Sequence, residues 1–144
     1  MLNTLITINN DRIEGYQTAL KQTEEFDLKA LFEQFISTSH KCKQELVREV
    51  NTMGGKPAGG TMISGKFFRA WMDLKAAITG KDRKAILNSC EYGEDKAKET
   101  YDKVLENESD YLTTEQYLMI SVQRSLLKVN HDDVKALRDA LVDA

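Results

Sequence analysis

Proline is almost absent from this chain. The single one, Pro57, stands between Gly54 and Gly65, together with five of the eight glycines. Outside that stretch little in the 144 residues interrupts a helix. Cysteine is nearly as scarce. Cys42 and Cys90 make no disulfide framework, and buried thiols in a cytoplasmic protein are the expectation. No apolar run approaches the roughly 20 residues of a membrane span, so no membrane partner is expected. There is no basic stripe with interleaved aromatics, and the net charge is −3, so no nucleic acid is expected either. The opening MLNTLITINNDR has neither a basic leader nor a long apolar core, which predicts no signal peptide. Nucleophilic catalysis has no support, because there is no serine elbow. Strand-period alternation is absent as well.

What remains is helix. Apolar residues at 41% and charged residues at 30% describe an ordinary folded domain rather than a disordered chain. By size, residues 1–144 form a single domain. Spacings of three and four predict a first helix from about Thr4 to Thr23, with Asn3 as its N-cap. Its stripe is Leu2, Leu5/Ile6, Asn9, Ile13, Tyr16 and Leu20, with Arg12 beside it. A second helix, capped by Asp27, runs from about Leu28 to Met53 and stops at Gly54-Gly55. Its stripe turns small or polar at Ser39 and Cys42, with His40 at the edge. Within the glycine-rich stretch, Gly60 to Lys66 resembles part of a phosphate-binding loop. Phe67 replaces the Ser or Thr that would meet magnesium, and no strand precedes it, so the match is read as chance. Lys66 to Thr79 is a short amphipathic helix, ended by Gly80, with Phe67/Phe68, Trp71, Leu74 and Ile78 on one side. Asp82 caps a long helix reaching Leu105, striped by Ile86/Leu87, Cys90, Glu94, Ala97, Tyr101 and Val104. Gly15 and Gly93 sit inside helices, where glycine costs about 1 kcal/mol against alanine. The last helix begins with a Thr113–Gln116 capping box and continues to about Val142. Its stripe is Tyr117, Ile120, Leu127, His131, Val134, Leu137 and Leu141, flanked by Arg124 and Lys128.

Four long helices with one long connection between the second and third predict an all-α, ferritin-like four-helix bundle. The crossover would contain the short helix. NNDRIEGY, WMDLKAAITGKD and CEYGED followed by KAKETY resemble a bacterial family of ferritin-like bundles to which no function is assigned. More distantly the chain is similar to rubrerythrin-type di-iron proteins, whose centre takes a Glu from each of two helices and Glu-x-x-His from each of the other two. That resemblance implies Asn9 at the first-helix Glu, and Ser39 with Cys42 at the second-helix motif. It implies Glu94 at the third-helix Glu, and Lys128 with His131 at the last. Two positions of six, Glu94 and His131, keep a ligand of the original type.

The leading expectation is therefore a non-catalytic, cytoplasmic bundle with a degenerate metal centre, no cofactor, and a structural or interaction role. Asn9, Arg12, Ser39 and Lys128 would form a midplane polar network, with Lys128 supplying Glu94 with its positive charge. The alternative is a single zinc or iron ion at Glu94 and His131, with Cys42, Cys90 or water as additional candidate ligands, or residual di-iron chemistry. Glu91 and Asp95, beside Glu94, form a carboxylate cluster that could bind a cation, though a solvated helix face is the commoner explanation of such a run. A homo-oligomer is compatible with the fold, and the sequence names no protein partner.

Overall fold

The computed structural model describes residues 2–59 and 65–143, with side chains throughout except at 65–70 and 142–143. Among the described residues it is all-α, without strands. The five helices are α1 (Leu2–Gln22), α2 (Phe26–Thr52), α3 (Gly65–Thr79), α4 (Arg83–Asn107) and α5 (Thr114–Asp143). A 3₁₀ turn at Ser109–Tyr111 joins the last two. No described helix is long and apolar enough to cross a membrane. The loop-like Gly60–Lys66 match lies largely outside the described residues, as do the side chains of Phe67 and Phe68.

The chain divides into two compact units, Met1–Trp71 and Met72–Ala144. In the first, α1 packs against α2. Leu5, Ile6 and Ile8 of α1, and Leu28, Phe32, Phe35 and Leu46 of α2, are fully buried. Every residue from Ile8 to Ile13 is buried, including Asn9, Asn10, Asp11 and Arg12. Tyr16 anchors an aromatic cluster, stacked on Phe32 at 5.5 Å and edge-on to Phe35 and Trp71 at 5.0 and 5.1 Å. Such pairs add to the free energy of burying their area.

Asn3 does not cap α1, which already begins at Leu2. Its amide instead pairs with a distant segment, donating to the Lys56 carbonyl and accepting from the Ala58 N–H. Asp27 is likewise inside its helix. Glu25 is the N-cap, without a side-chain cap bond, and Asp27 accepts from Leu28 N–H. The expected stop at Gly54 is observed: Gly54 has φ +77°, and the N–H groups of Gly54 and Gly55 return to the carbonyls of Asn51 and Val50. At the end of α3 the left-handed residue is Lys81, φ 54°, not Gly80. The same pair of returning bonds, Lys81 to Ile78 and Asp82 to Ala77, closes that terminus. The closure runs straight into the next cap, because Asp82 accepts from Ala85 N–H and starts α4.

In the second unit α4 packs against α5. The α4 stripe is as expected, with Ile86, Leu87, Cys90, Glu94, Ala97, Tyr101 and Val104 buried. The Thr113–Gln116 capping box is reciprocal, at 3.0 and 3.1 Å. The buried line of α5 differs from the expected one. It consists of Gln116, Ile120, Gln123, Leu127, Asn130 and Val134, whereas Tyr117 is 41% exposed. Polar residues recurring every seventh position occupy half of that line, so an apolar stripe could not reveal them.

The two mid-helix glycines have opposite roles. A Cβ at Gly15 would stand 2.5 Å from three atoms of the Trp71 indole. At Gly93 no described atom lies within 4 Å of such a Cβ. Gly15→Ala should therefore destabilise by about 1 kcal/mol, overpacking outweighing the gain in helix propensity. Gly93→Ala should stabilise by up to about 1 kcal/mol. Urea melts give both signs, and Trp71, the sole tryptophan, should change its emission in the first variant alone. A stabilised Gly15→Ala with unaltered emission would contradict the packing of that indole.

Candidate functional site

Two groups of polar residues lie away from ordinary surface charge, one in each unit. In the first unit, Arg12 is 1% exposed and donates from Nη1 to Ser39 Oγ at 2.5 Å. Its guanidinium carbon lies 5.7 Å from the ring centres of both Tyr16 and Phe35. Asn9, fully buried, donates to the Leu5 carbonyl one turn back along α1. Cys42 is buried and not in a disulfide. Arg12 and Ser39, both expected in the polar network, are thus brought together.

In the second unit, Glu94 is fully buried on α4, one turn from Cys90. Burial first, and the Glu94 charge second, push the Cys90 thiol far up, so it stays protonated. A thiolate ligand at Cys90 would have to overcome both effects. On the same helix the Tyr101 hydroxyl donates to Gln123 Oε1 at 2.7 Å, both side chains being fully buried.

His131 does not turn toward Glu94. Its Nε2 lies 2.8 Å from Asp95 Oδ1 and 3.8 Å from Glu91 Oε1. Its Nδ1 lies 3.2 Å from Asp132 Oδ1. The ligand atoms of Glu91, Asp95 and His131 all fall within 4.8 Å of one another, the one such trio among the described residues. Glu91 and Asp95 project from successive turns of α4, and His131 meets them from α5. The other carboxylate oxygen of Glu91 accepts from Arg138 Nη1, whose Nη2 also donates to Asp139.

Lys128 requires a correction. It is 54% exposed and pairs with Asp132 at 2.8 Å, one turn further along α5. It follows Leu127, which is fully buried, and each helical step rotates a side chain by about 100°. Lys128 therefore points away from the core that holds Glu94 and belongs to no buried network. Lys128 first, then His131, holds the Asp132 carboxyl below the usual carboxylate range. Arg124, the other flanking cation, bonds Asp102 of α4 at 2.8 Å.

Sequence reasoning missed Arg138 and Asp132 and set Glu91 and Asp95 aside. The i,i+4 spacing of Lys128 and Asp132 on one helix face was the available signal for Asp132. The partnership of His131 with α4 had no local signal.

A family model matches residues 1–107, and its description is a domain of unknown function, DUF2383. The match ends with α4, so α5, with His131 and Arg138, lies beyond it. Among curated proteins none matches the chain.

Proposed function

The chain belongs to the DUF2383 family, and from that premise we propose that it is a non-catalytic, ferritin-like bundle with a degenerate metal centre. Its role is structural or interactive. The ferritin-like part rests on the resemblance carried by NNDRIEGY, WMDLKAAITGKD and CEYGED, and on the order of two long helices, a connection with a short helix, and two long helices. Two buried free thiols suit a reducing compartment, and a cytoplasmic setting is part of the proposal.

The observation that carries the reading is Arg12. In the α1–α2 hairpin the overlaid ligand positions are Asn9, Ser39 and Cys42, with no carboxylate among them. A buried guanidinium bonds Ser39, one of those positions. A fixed cation there opposes a metal dication and removes the need for one. The rival reading, a metal shared by Glu94 and His131, has less support, because the polar contacts of His131 are with Asp95, Glu91 and Asp132.

Aerobic addition of ferrous iron to protein purified without chelator or a nickel column tests this. The expected outcome is oxidation no faster than in protein-free buffer, with fewer than two irons retained per chain. Two irons per chain with ferroxidase turnover would overturn the proposal.

A further inference from the structure

The geometry points to a binding site for one zinc-class divalent cation at Glu91, Asp95 and His131, on the edge of the α4–α5 hairpin. This goes beyond a degenerate ferritin-like centre, and uses neither Glu94 nor the α1–α2 hairpin.

The histidine makes the argument. A neutral imidazole donates from one ring nitrogen only. Both nitrogens of His131 face carboxylates: Nδ1 meets Asp132 at 3.2 Å, and Nε2 meets Asp95 at 2.8 Å and Glu91 at 3.8 Å. If Nδ1–H is donated to Asp132, Nε2 presents a lone pair to two acceptor oxygens. Something positive must lie between them, either a second proton or a metal ion. The separations suit the metal. Tetrahedral ligands at roughly 2.0–2.1 Å from zinc stand about 3.3 Å apart. The observed 2.8 and 3.8 Å bracket that spacing.

The surroundings fit as well. A metal-bound histidine commonly donates its other N–H to a carboxylate, which fixes its tautomer and orientation, and Asp132 stands in that place. Arg138 occupies the outer oxygen of Glu91 and leaves Oε1 toward the histidine. Four carboxylates, Glu91, Asp95, Asp132 and Asp139, surround the site against the two cations Lys128 and Arg138. A dication would balance that excess. One imidazole with two carboxylates favours zinc and its first-row neighbours over magnesium or calcium, which prefer all-oxygen sites. Glu91 and His131 are 17% and 12% exposed, and Asp95 is 42% exposed. The site is therefore held by two inner ligands and open through the third, with room for water to complete four-coordination.

The test uses the full chain purified without a metal-affinity tag. Calorimetric titration with zinc should give one equivalent per chain. Cobalt should give a visible d–d band of the same stoichiometry. Asp95→Asn and His131→Gln should each weaken zinc at least tenfold. His40→Gln, at the exposed second histidine, should change nothing. Circular dichroism before titration shows that each variant is folded, and Asp95, the most exposed ligand, keeps the test informative should His131→Gln unfold. No binding at millimolar zinc, or binding indifferent to both substitutions, would overturn the site and show a proton-bridged ion cluster instead. Failure here leaves the iron test of the degenerate centre untouched, since that concerns two irons at other residues.

Discussion

Arg12→Ala is expected to destabilise the protein by about 3–5 kcal/mol, near the upper end for a single substitution. Arg12 heads the fully buried side chains in volume. Truncation therefore leaves a cavity of the kind that costs about 2–5 kcal/mol in large-to-small core changes. It also removes a charge-assisted bond to Ser39 and a guanidinium shared by the Tyr16 and Phe35 faces. Arg12→Met keeps the apolar stem and loses the charge, so it should recover the packing share, about half of the loss. Ser39→Ala should cost about 1–2 kcal/mol, because it leaves one guanidinium N–H short of an acceptor. The double variant Arg12→Met with Ser39→Ala should cost less than the sum of the two, by about 0.5 kcal/mol or more. Denaturant melts of the four proteins complete the cycle. A loss below 1 kcal/mol for Arg12→Ala would mean that the guanidinium lies in water, and the proposed exclusion of metal from this hairpin would lose its basis.

The helices were legible because their apolar residues repeat at three and four, and because two of the caps use chemistry that is local in sequence. Asp82 and the Thr113–Gln116 box act within one turn, so three or four residues contain the whole signal. Asn3 shows the limit. A short amide ahead of an apolar stripe reads as a cap, yet its partners are Lys56 and Ala58, more than fifty residues away. Lys81 shows another. Glycine is the usual left-handed residue at a helix end, but the closing bonds at the end of α3 place that conformation one residue later. Gly15 and Gly93 look alike in sequence, and only the position of the Trp71 ring separates them.

The candidate site was less legible, for a related reason. In α5 an apolar stripe passes over Gln116, Gln123 and Asn130 and takes in Tyr117 and His131 instead. That rotated the inferred face toward Lys128 and away from Asn130. With the true line through Leu127, Asn130 and Val134, His131 sits on the flank that meets α4, and Lys128 on the exposed side. Glu91 and Asp95 then cease to be a solvated pair, because a histidine from another helix lies against them. Charged residues one turn apart are common on helix surfaces. Their conversion into a site depends on a contact across the hairpin, which no window of sequence contains.

That same polar line makes the second large prediction. Tyr101 and Gln123 are fully buried and joined by a 2.7 Å bond between α4 and α5. Tyr101→Phe removes one hydroxyl and almost no volume. It withdraws a donor from Gln123 Oε1 inside the core, so the expected loss is about 1–3 kcal/mol, the cost of leaving a buried polar group short of its partner. Gln123→Leu should cost a similar amount by the same logic, since it withdraws an acceptor from the tyrosine hydroxyl. Combining Tyr101→Phe with Gln123→Leu removes both polar groups and keeps the shape. The pair should therefore recover most of either single loss, because replacing both partners with apolar groups can be nearly neutral. Urea melts with hydrogen exchange of the α4 and α5 amides supply the measurement. If the double variant is as unstable as the sum of the singles, the two side chains act separately. If it is as stable as the parent but loses a single sharp unfolding transition, the buried bond serves to fix the register of α5 on α4 rather than to stabilise it. A helix displaced by one turn would part Gln123 from the Tyr101 hydroxyl, which favours that register role.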